Sequence, residues 1–236
     1  MLTKELFRED GYLKECLANV TSVGEDYFTT DQTVFYAQGG GQPGDTGWLT
    51  RADATEIAIC DTRKDRDSDE IRHYLEGKSF PQVGERITLT IDWDRRYRIM
   101  RLHSCMHMLC AVIPAPVTGG SIRDDGTARL DFDLPEPPDK QSIEQALNQL
   151  TTSDHPMSIQ WISDEEMEAQ PELIRTMSVK PPIGQGQVRL VNFAGVDLQP
   201  CGGTHVANAK EIGLVRVSKI EKKGKINRRI TIALEK

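Results

Sequence analysis

The stretch Arg95-Arg-Tyr-Arg-Ile-Met-Arg-Leu-His103-Ser-Cys-Met-His107-Met-Leu-Cys-Ala-Val-Ile113 divides the 236-residue sequence into two parts of different character. Its apolar residues recur three and four positions apart, which predicts one helix that ends before Pro114. This row consists of Ile99, Leu102, Met106, Leu109 and Ile113. His103 and His107 lie one turn apart beside the row, so we expect their imidazoles to project in the same direction.

Short strand-like runs precede this helix, and turn residues separate them. Such a pattern predicts a small antiparallel barrel. The candidate strands are Leu17–Val23, Tyr27–Thr29, Val34–Tyr36, Trp48–Thr50, Thr55–Asp61, Ile71–Leu75 and Arg86–Ile91. We predict that residues 1–92 form this barrel-like domain, which carries a glycine-rich segment.

Helices and strands alternate in the rest of the chain. Capping boxes at Ser142/Gln145 and Ser163/Glu166 predict helices over Ser142–Leu150 and Ser163–Ala169. The candidate strands are Ala128–Phe132, Ser158–Trp161, Val188–Phe193, Leu214–Ile220 and Ile226–Leu234. Helices packed on an antiparallel sheet make residues 93–236 an α+β domain, and the predicted fold class of the whole chain is α+β.

A second histidine motif, Cys201-Gly-Gly-Thr-His205, follows a strand-like run and a turn at Ala194-Gly195, so we expect it on a loop. With His103 and His107 it supplies three imidazoles and one thiolate, a set that suits a tetrahedral zinc ion, Zn2+. A metal-free catalytic arrangement of the same groups is the alternative. A structural zinc is less favoured, because a chain of this length can bury its own core. The zincin signature is absent, since no glutamate lies between the two helical histidines.

The segment from Thr33 to Gly47 contains three consecutive glycines, Gly39 to Gly41, followed by Gln42. Glycines allow the backbone to approach a sugar or phosphate closely. A simple hairpin connection is the alternative, because Pro43-Gly44 and Asp45 are ordinary turn residues. The triplet Gly40-Gly41-Gln42 is also similar to the catalytic loop of peptide-chain release factors, which act on an ester bond to tRNA.

Taken together, these motifs resemble the editing domain of alanyl-tRNA synthetases and, more closely, the freestanding editing proteins of the AlaX family. The similarity runs from about residue 31 to the C-terminus and keeps the order of the segments. They are Thr33 to Gly47, Asp92 to His107, Cys201 to Val206, Glu211 to Gly213, and Arg228 to Ile230.

This resemblance implies a trans-editing deacylase that hydrolyses the ester of mischarged tRNA(Ala), chiefly Ser-tRNA(Ala) and also Gly-tRNA(Ala). It implies a zinc ion bound by His103, His107, Cys201 and His205. Thr33 matches a threonine associated with recognition of the serine hydroxyl. Thr33 and Gln42 are therefore the candidate catalytic residues, and the candidate substrate-binding residues are Thr33, Gly39, Gly40, Gly41 and Gln42. A non-catalytic zinc-dependent tRNA-binding protein is the alternative function.

The sequence departs from the commoner family form His-Thr-Ala-x-His at Ser104 and Cys105. On a helix these side chains point away from the ligand direction. We therefore expect the departure to affect packing more than chemistry.

The net charge of −7 does not favour nucleic acid as a partner, but two local clusters are basic. One precedes His103 and the other surrounds Gly224. We expect them to contact the phosphates of the acceptor stem. The candidate tRNA-binding residues are Arg95, Arg96, Lys222, Lys223, Lys225 and Arg228.

The sequence has no apolar run long enough for a membrane span, no signal-peptide core at its N-terminus and no cysteine spacing typical of a disulfide framework. We therefore expect a cytoplasmic protein, in which Cys201 stays reduced. Neither a membrane nor DNA is expected as a partner.

Overall fold

The computed structural model describes residues 2–77, 79–176 and 186–235. The chain divides into two compact units, Met1–Arg98 and Ile99–Lys236. The first contains a barrel of antiparallel strands, and the second contains further antiparallel sheets and helices. The predicted α+β fold class is confirmed. Among the described residues, no helix is long and apolar enough to cross a membrane.

Six strands of the first unit close into a barrel in the order β2-β3-β7-β6-β5-β8, and the short strands β1 and β4 pair in parallel beside it. The bounds of these strands are β1 Lys4–Glu5, β2 Glu15–Val23, β3 Tyr27–Thr30, β4 Gln32–Thr33, β5 Gly47–Thr50, β6 Glu56–Lys64, β7 Ile71–Leu75 and β8 Arg86–Ile91.

Alternating residues of the barrel strands face its core. In β8, for example, Ile87, Leu89 and Ile91 are buried, whereas the residues between them are more exposed. This period of two is the pattern of a strand with one buried face. Closure pairs β2 with β8, so neither strand leaves an open edge.

The predicted strand Val34–Tyr36 is wrong, because these three buried residues have an irregular backbone. Side chains replace a neighbouring strand as their hydrogen-bond partners. The Tyr36 amide donates to Asp45 Oδ2 (2.6 Å), and the Val34 carbonyl accepts from Arg96 Nη2 (2.7 Å). A short apolar run predicts a strand when its hydrogen-bond partners are unknown. In the structure, the buried backbone groups of this run instead form hydrogen bonds with side chains.

The three glycines form a tight turn. Gly39 and Gln42 exchange two backbone hydrogen bonds of 3.1 and 2.9 Å, and the residues between them have positive φ angles, 57° at Gly40 and 83° at Gly41. Two central residues with positive φ are the mark of a type I′ hairpin turn. The segment therefore contains a tight turn, but at Gly40-Gly41 and not at the predicted turn residues Pro43-Gly44 and Asp45.

Replacing Gly44 with alanine is expected to lower the free energy of unfolding by about 1–3 kcal/mol, the usual cost of overpacking. A Cβ atom at Gly44 would lie 2.1 Å from the carbonyl oxygen of Thr62. Gly40→Asn is the matched control, because a Cβ there meets nothing within 4 Å and asparagine tolerates positive φ. Urea denaturation of both variants checks this expectation, and equal stabilities would contradict it.

The second unit contains two antiparallel sheets, one of order β14-β15-β10-β9 and one of order β11-β12-β13. Their bounds are β9 Val117–Ile122, β10 Thr127–Asp133, β11 Met157–Ser163, β12 Gln187–Phe193, β13 Asp197–Pro200, β14 Val215–Lys222 and β15 Asn227–Leu234. Strands β9 and β13 have no counterpart among the predicted strands. Glycine and proline interrupt the sequence pattern of these two strands.

Helix α1 spans Trp93–Val112, close to the predicted Arg95–Ile113. It begins two residues earlier because the Asp92 side chain accepts a hydrogen bond from the Arg95 amide (3.1 Å). The predicted apolar row and the neighbouring row with His103 and His107 are both buried. The part of this helix in the second unit is therefore enclosed on more than one face.

Helix α2 spans Lys140–Thr151, and its N-cap is Asp139 rather than the predicted Ser142. The Asp139 side chain accepts from the Ser142 amide, so a carboxylate takes the place expected for a hydroxyl. Helix α3 spans Asp164–Glu168, and its predicted Ser163/Glu166 capping box is confirmed.

Candidate metal centre

The structure brings the four predicted metal ligands of the second unit together. One ligand atom from each of His103, His107, Cys201 and His205 lies within 4.8 Å of the other three. Helix α1 supplies the first pair from consecutive turns, and the loop after β13 supplies the second pair. The expected loop position of Cys201 and His205 is confirmed.

Two of the distances between these atoms fit a tetrahedral metal site. Cys201 Sγ lies 3.6 Å from His103 Nε2 and 3.3 Å from His205 Nε2. A tetrahedral zinc with its usual bond lengths holds a sulfur and a nitrogen ligand about 3.6 Å apart. All three imidazoles are nearly buried. The four residues could therefore hold one ion.

The charges of the centre favour a thiolate. Burial alone would raise the pKa of the Cys201 thiol, but the neighbouring His103 and His205 outweigh burial and hold this pKa well below its usual value. By contrast, burial raises the pKa of Cys105, which lies on helix α1, to about 12. Because the thiolate is the form that binds metals, Cys201 is the cysteine prepared for coordination.

The pKa values of His107 and His205 are shifted in opposite directions. Burial would lower the pKa of His107, but its hydrogen bonds with Asp197 and Cys201 raise that pKa to about 9. Burial and the nearby His103 hold the pKa of His205 well below its usual value. His107 therefore forms a hydrogen bond with the carboxylate of Asp197, whereas His205 lies among other imidazoles.

Two side chains attach the ligand loop to the rest of the second unit. Arg189 on β12 donates from Nη1 to the carbonyls of Cys201 (2.7 Å) and Gly203 (3.0 Å). Ser104 on α1 accepts from the Val206 amide (3.1 Å), and its Oγ lies 3.2 Å from His205 Nδ1. The premise that the Ser104 side chain points away from the ligand residues is wrong, because its hydroxyl contacts His205. That the departure affects packing more than chemistry stays a prediction.

Three further residues near the centre were not found from the sequence. Asp197 and Gln199 on β13 both contact the His107 ring, and Arg175 lies beside Asp197. The sequence signal for Asp197 and Gln199 is their position four and two residues before Cys201, and Arg175 has no such signal. That signal is weak, because it does not reveal which side chains face α1.

The predicted substrate-binding residues lie in the first unit. Thr33 and Gln42 are almost fully buried, Gly39 and Gly41 are partly exposed, and Gly40 is exposed at the tip of the glycine turn. Thr33 Oγ1 lies 2.9 Å from His73 Nε2 and accepts from the Phe35 amide (3.0 Å). The structure thus joins Thr33 to a histidine that the sequence patterns did not single out.

His73 is enclosed in the barrel, where its ring stacks on Phe28 with centroids 5.0 Å apart. Burial lowers the pKa of His73 from 6.5 to about 4, although a hydrogen bond to the Phe28 backbone opposes the change. As the pH falls through 6.5, the unfolded chain binds a proton here that the folded protein does not bind until about pH 4. Stability must therefore decrease across this interval.

We expect His73 to lower the free energy of unfolding by about 2 kcal/mol when the pH falls from 7.5 to 5. His73→Gln should flatten the pH dependence by that amount, whatever its effect on stability at pH 7.5. His155→Gln, outside the barrel, is measured in parallel as the matched histidine substitution. Urea denaturation at a series of pH values checks both, and parallel curves for the native protein and His73→Gln would contradict the expectation.

The predicted tRNA-binding residues differ in exposure. Lys222, Lys223 and Lys225 are exposed on the hairpin between β14 and β15. Arg95 is partly buried and donates to the Gly44 carbonyl (2.7 Å). Arg96 and Arg228 are buried, so neither presents its guanidinium to solvent.

Comparison with known proteins gives matches along nearly the whole chain. A family model described as the threonyl and alanyl tRNA synthetase second additional domain matches residues 188–231, which include Cys201 and His205. A second model, of class II (A) tRNA synthetases, matches residues 7–95. An alanyl-tRNA editing protein AlaX-M from Methanosarcina barkeri is 36% identical over 99% of this chain and 99% of its own length.

The chain belongs to the AlaX-M family of alanyl-tRNA editing proteins. A second AlaX-M protein, from Saccharolobus solfataricus, is 33% identical over 97% of this chain and 98% of its own length. An alanine–tRNA ligase from Pyrobaculum calidifontis is 34% identical, covering 93% of this chain but 25% of the ligase. The resemblance to AlaX proteins and to the synthetase is confirmed. This AlaX-M chain corresponds to one part of the larger synthetase.

Proposed function

We propose that this AlaX-M chain is a trans-editing deacylase that hydrolyses the ester of mischarged tRNA(Ala) in the cytoplasm. Ser-tRNA(Ala) is the main substrate and Gly-tRNA(Ala) a second one. The observation that carries the proposal is the buried cluster of three histidines and one cysteine, in a chain similar along its length to alanyl-tRNA editing proteins.

We propose zinc as the ion, held by His103, His107, Cys201 and His205. Three nitrogen donors and one thiolate form a ligand set that zinc prefers, and their spacing agrees with its tetrahedral geometry. When bound, zinc supplies a positive charge that can polarise a carbonyl or lower the pKa of a water molecule. The protein holds the two ligand pairs in place through α1 and through the Arg189 contacts with the loop.

Selectivity between seryl and alanyl esters requires a group that recognises one hydroxyl. We propose Thr33 for this role, with Gln42 and the glycine turn as its neighbours in sequence. A threonine hydroxyl can donate one hydrogen bond and accept two. The Phe35 amide and His73 use two of these positions, which leaves one for a serine hydroxyl. An alanyl ester would leave this position unpaired, which disfavours the correct substrate.

Lys222, Lys223 and Lys225 are our candidates for contacts with tRNA phosphates, because they are exposed and adjacent on one hairpin. Arg95, which is partly exposed, is a further candidate. Arg96 and Arg228 no longer belong to this set, because their guanidinium groups are buried.

A non-catalytic zinc-dependent tRNA-binding protein is the second candidate function. The observation in its favour is that four protein ligands surround the centre, as in structural zinc sites, whereas catalytic sites usually have three. A release-factor-like hydrolysis is less supported, because it would have no use for the cluster of three histidines and one cysteine.

The deciding experiment measures release of labelled serine from Ser-tRNA(Ala) and of labelled alanine from Ala-tRNA(Ala). Native protein, metal-stripped protein and stripped protein reloaded with zinc are compared. Rapid serine release that is lost on stripping and restored by zinc, with alanine retained on its tRNA, is the expected result. Retention of both amino acids by a protein with one zinc per chain would instead establish the binding function.

A further inference from the structure

We infer that Asp197 is a positioning residue for the metal centre: it fixes the tautomer and ring orientation of His107, so that Nε2 faces the other three ligands. This inference rests on the proposed function, because it assumes that the cluster binds an ion. It concerns a carboxylate that is outside the ligand set.

The Asp197–His107 contact is short and enclosed. Asp197 Oδ2 lies 2.7 Å from His107 Nδ1, and the two side chains are 0% and 5% exposed. A carboxylate at this distance requires a proton on Nδ1, because two acceptors would repel one another. With Nδ1 protonated, the lone pair of the neutral ring is on Nε2. A carboxylate that orients a metal-binding histidine in this way also increases its strength as a ligand.

Gln199 acts on this arrangement through Asp197. Its Nε2 donates to Asp197 Oδ2 (2.8 Å), whereas its 3.0 Å contact with His107 Nδ1 lies between two donors in this tautomer and is not a hydrogen bond. The amide thus helps to hold the carboxylate oxygen that receives the His107 proton. Because Gln199 and Asp197 lie two residues apart on β13, their side chains share one face of the strand.

The hydrogen bonds of Asp197 differ from those expected for a buried acid that only stabilises the fold. Its Oδ1 atom is buried and, within the described residues, has no hydrogen-bond partner. The nearest cation is Arg175, whose Nε is 3.7 Å from Oδ1 and whose Nη1 donates to the Cys110 carbonyl (3.0 Å). Burial of an incompletely paired carboxylate is unfavourable. Its contact with His107 supplies a functional reason for that cost.

His205 provides a comparison within the same centre. Its Nδ1 atom lies 3.2 Å from the neutral hydroxyl of Ser104, a longer contact than that between His107 and Asp197. Hydrogen bonds to a charged acceptor are about twice as strong as neutral ones. Loss of Asp197 should therefore weaken metal binding more than loss of Ser104.

The test measures zinc affinity by competition with a chromophoric chelator. For Asp197→Asn we expect the dissociation constant to rise about 10–100-fold, the usual effect of removing an outer partner of a ligand. Asp139→Asn is the matched control: it removes the same charge from the exposed N-cap of α2, where asparagine also caps well, and it should bind zinc like the native protein. Circular dichroism establishes that each variant is folded.

NMR of the zinc-loaded native protein tests the inference without a substitution. The imidazole of His107 should show a protonated Nδ1 with slow proton exchange, and a metal-bound Nε2. A native-like affinity in folded Asp197→Asn, or a His107 bound through Nδ1, would overturn the inference and leave the proposed function intact. Failure of the native chain to bind zinc would overturn both.

Discussion

Replacing Cys201 with alanine is expected to lower the rate of Ser-tRNA(Ala) hydrolysis by about 10³-fold. Cys201 supplies the single thiolate of the cluster, and its removal leaves three imidazoles as the ligands for the proposed ion. Metal ions commonly contribute several kcal/mol to the lowering of a reaction barrier, and about 4 kcal/mol corresponds to 10³-fold in rate. The deacylation rate and the zinc content of the purified variant are the quantities to measure.

Cys60→Ala is the matched control for this substitution, because Cys60 is exposed in the first unit and outside the cluster. It should retain native activity and metal content. A folded Cys201→Ala protein that still binds tRNA but no longer hydrolyses the ester supports a catalytic ion. Loss of folding would instead indicate a structural ion, and native activity would contradict a functional role of the cluster.

Replacing Arg96 with leucine is expected to lower the free energy of unfolding by about 3–5 kcal/mol, the cost of leaving one partner of a buried ion pair alone. Arg96 and Asp45 are both buried and form an ion pair through several atoms. Arg96 also donates to the carbonyls of Val34 (2.7 Å) and Gly11 (3.1 Å). One guanidinium thus joins helix α1 to the irregular segment beside the glycine turn.

Arg98→Leu is the control for this second prediction. Arg98 is two residues away on the same helix but exposed. Surface substitutions of this kind usually change stability by less than about 0.5 kcal/mol. Chemical denaturation of the two variants compares the positions directly. If Arg96→Leu were as stable as Arg98→Leu, the buried ion pair would contribute little to the fold.

The sequence predicted those features of the fold and of the candidate site that depend on a regular spacing of residues. The apolar row of α1 and the four-residue separation of each ligand pair are visible in the sequence, and both hold in the structure. The barrel was predicted from short strand-like runs separated by turn residues, although Val34–Tyr36 was taken for one of its strands. Periodicity shows that such a segment is buried, but not which groups satisfy its backbone.

Buried charged residues were harder to predict because their partners are distant in sequence. Asp197 is 90 positions from His107, and Arg96 is 51 positions from Asp45. A carboxylate or a guanidinium in an unaligned sequence is most simply taken as exposed, since such groups are rarely buried. Only the folded arrangement distinguishes the buried Arg96 from the exposed Arg98 beside it.

The separation of the two ligand pairs along the chain also affects when the centre can form during synthesis. Cys201 is 98 residues beyond His103. At translation rates of about 5–20 residues per second, the helical pair leaves the ribosome about 5–20 s before the loop pair. A nascent chain therefore holds only two ligands during that interval. The cluster of three histidines and one cysteine is completed late, after most of both folded units has been synthesised.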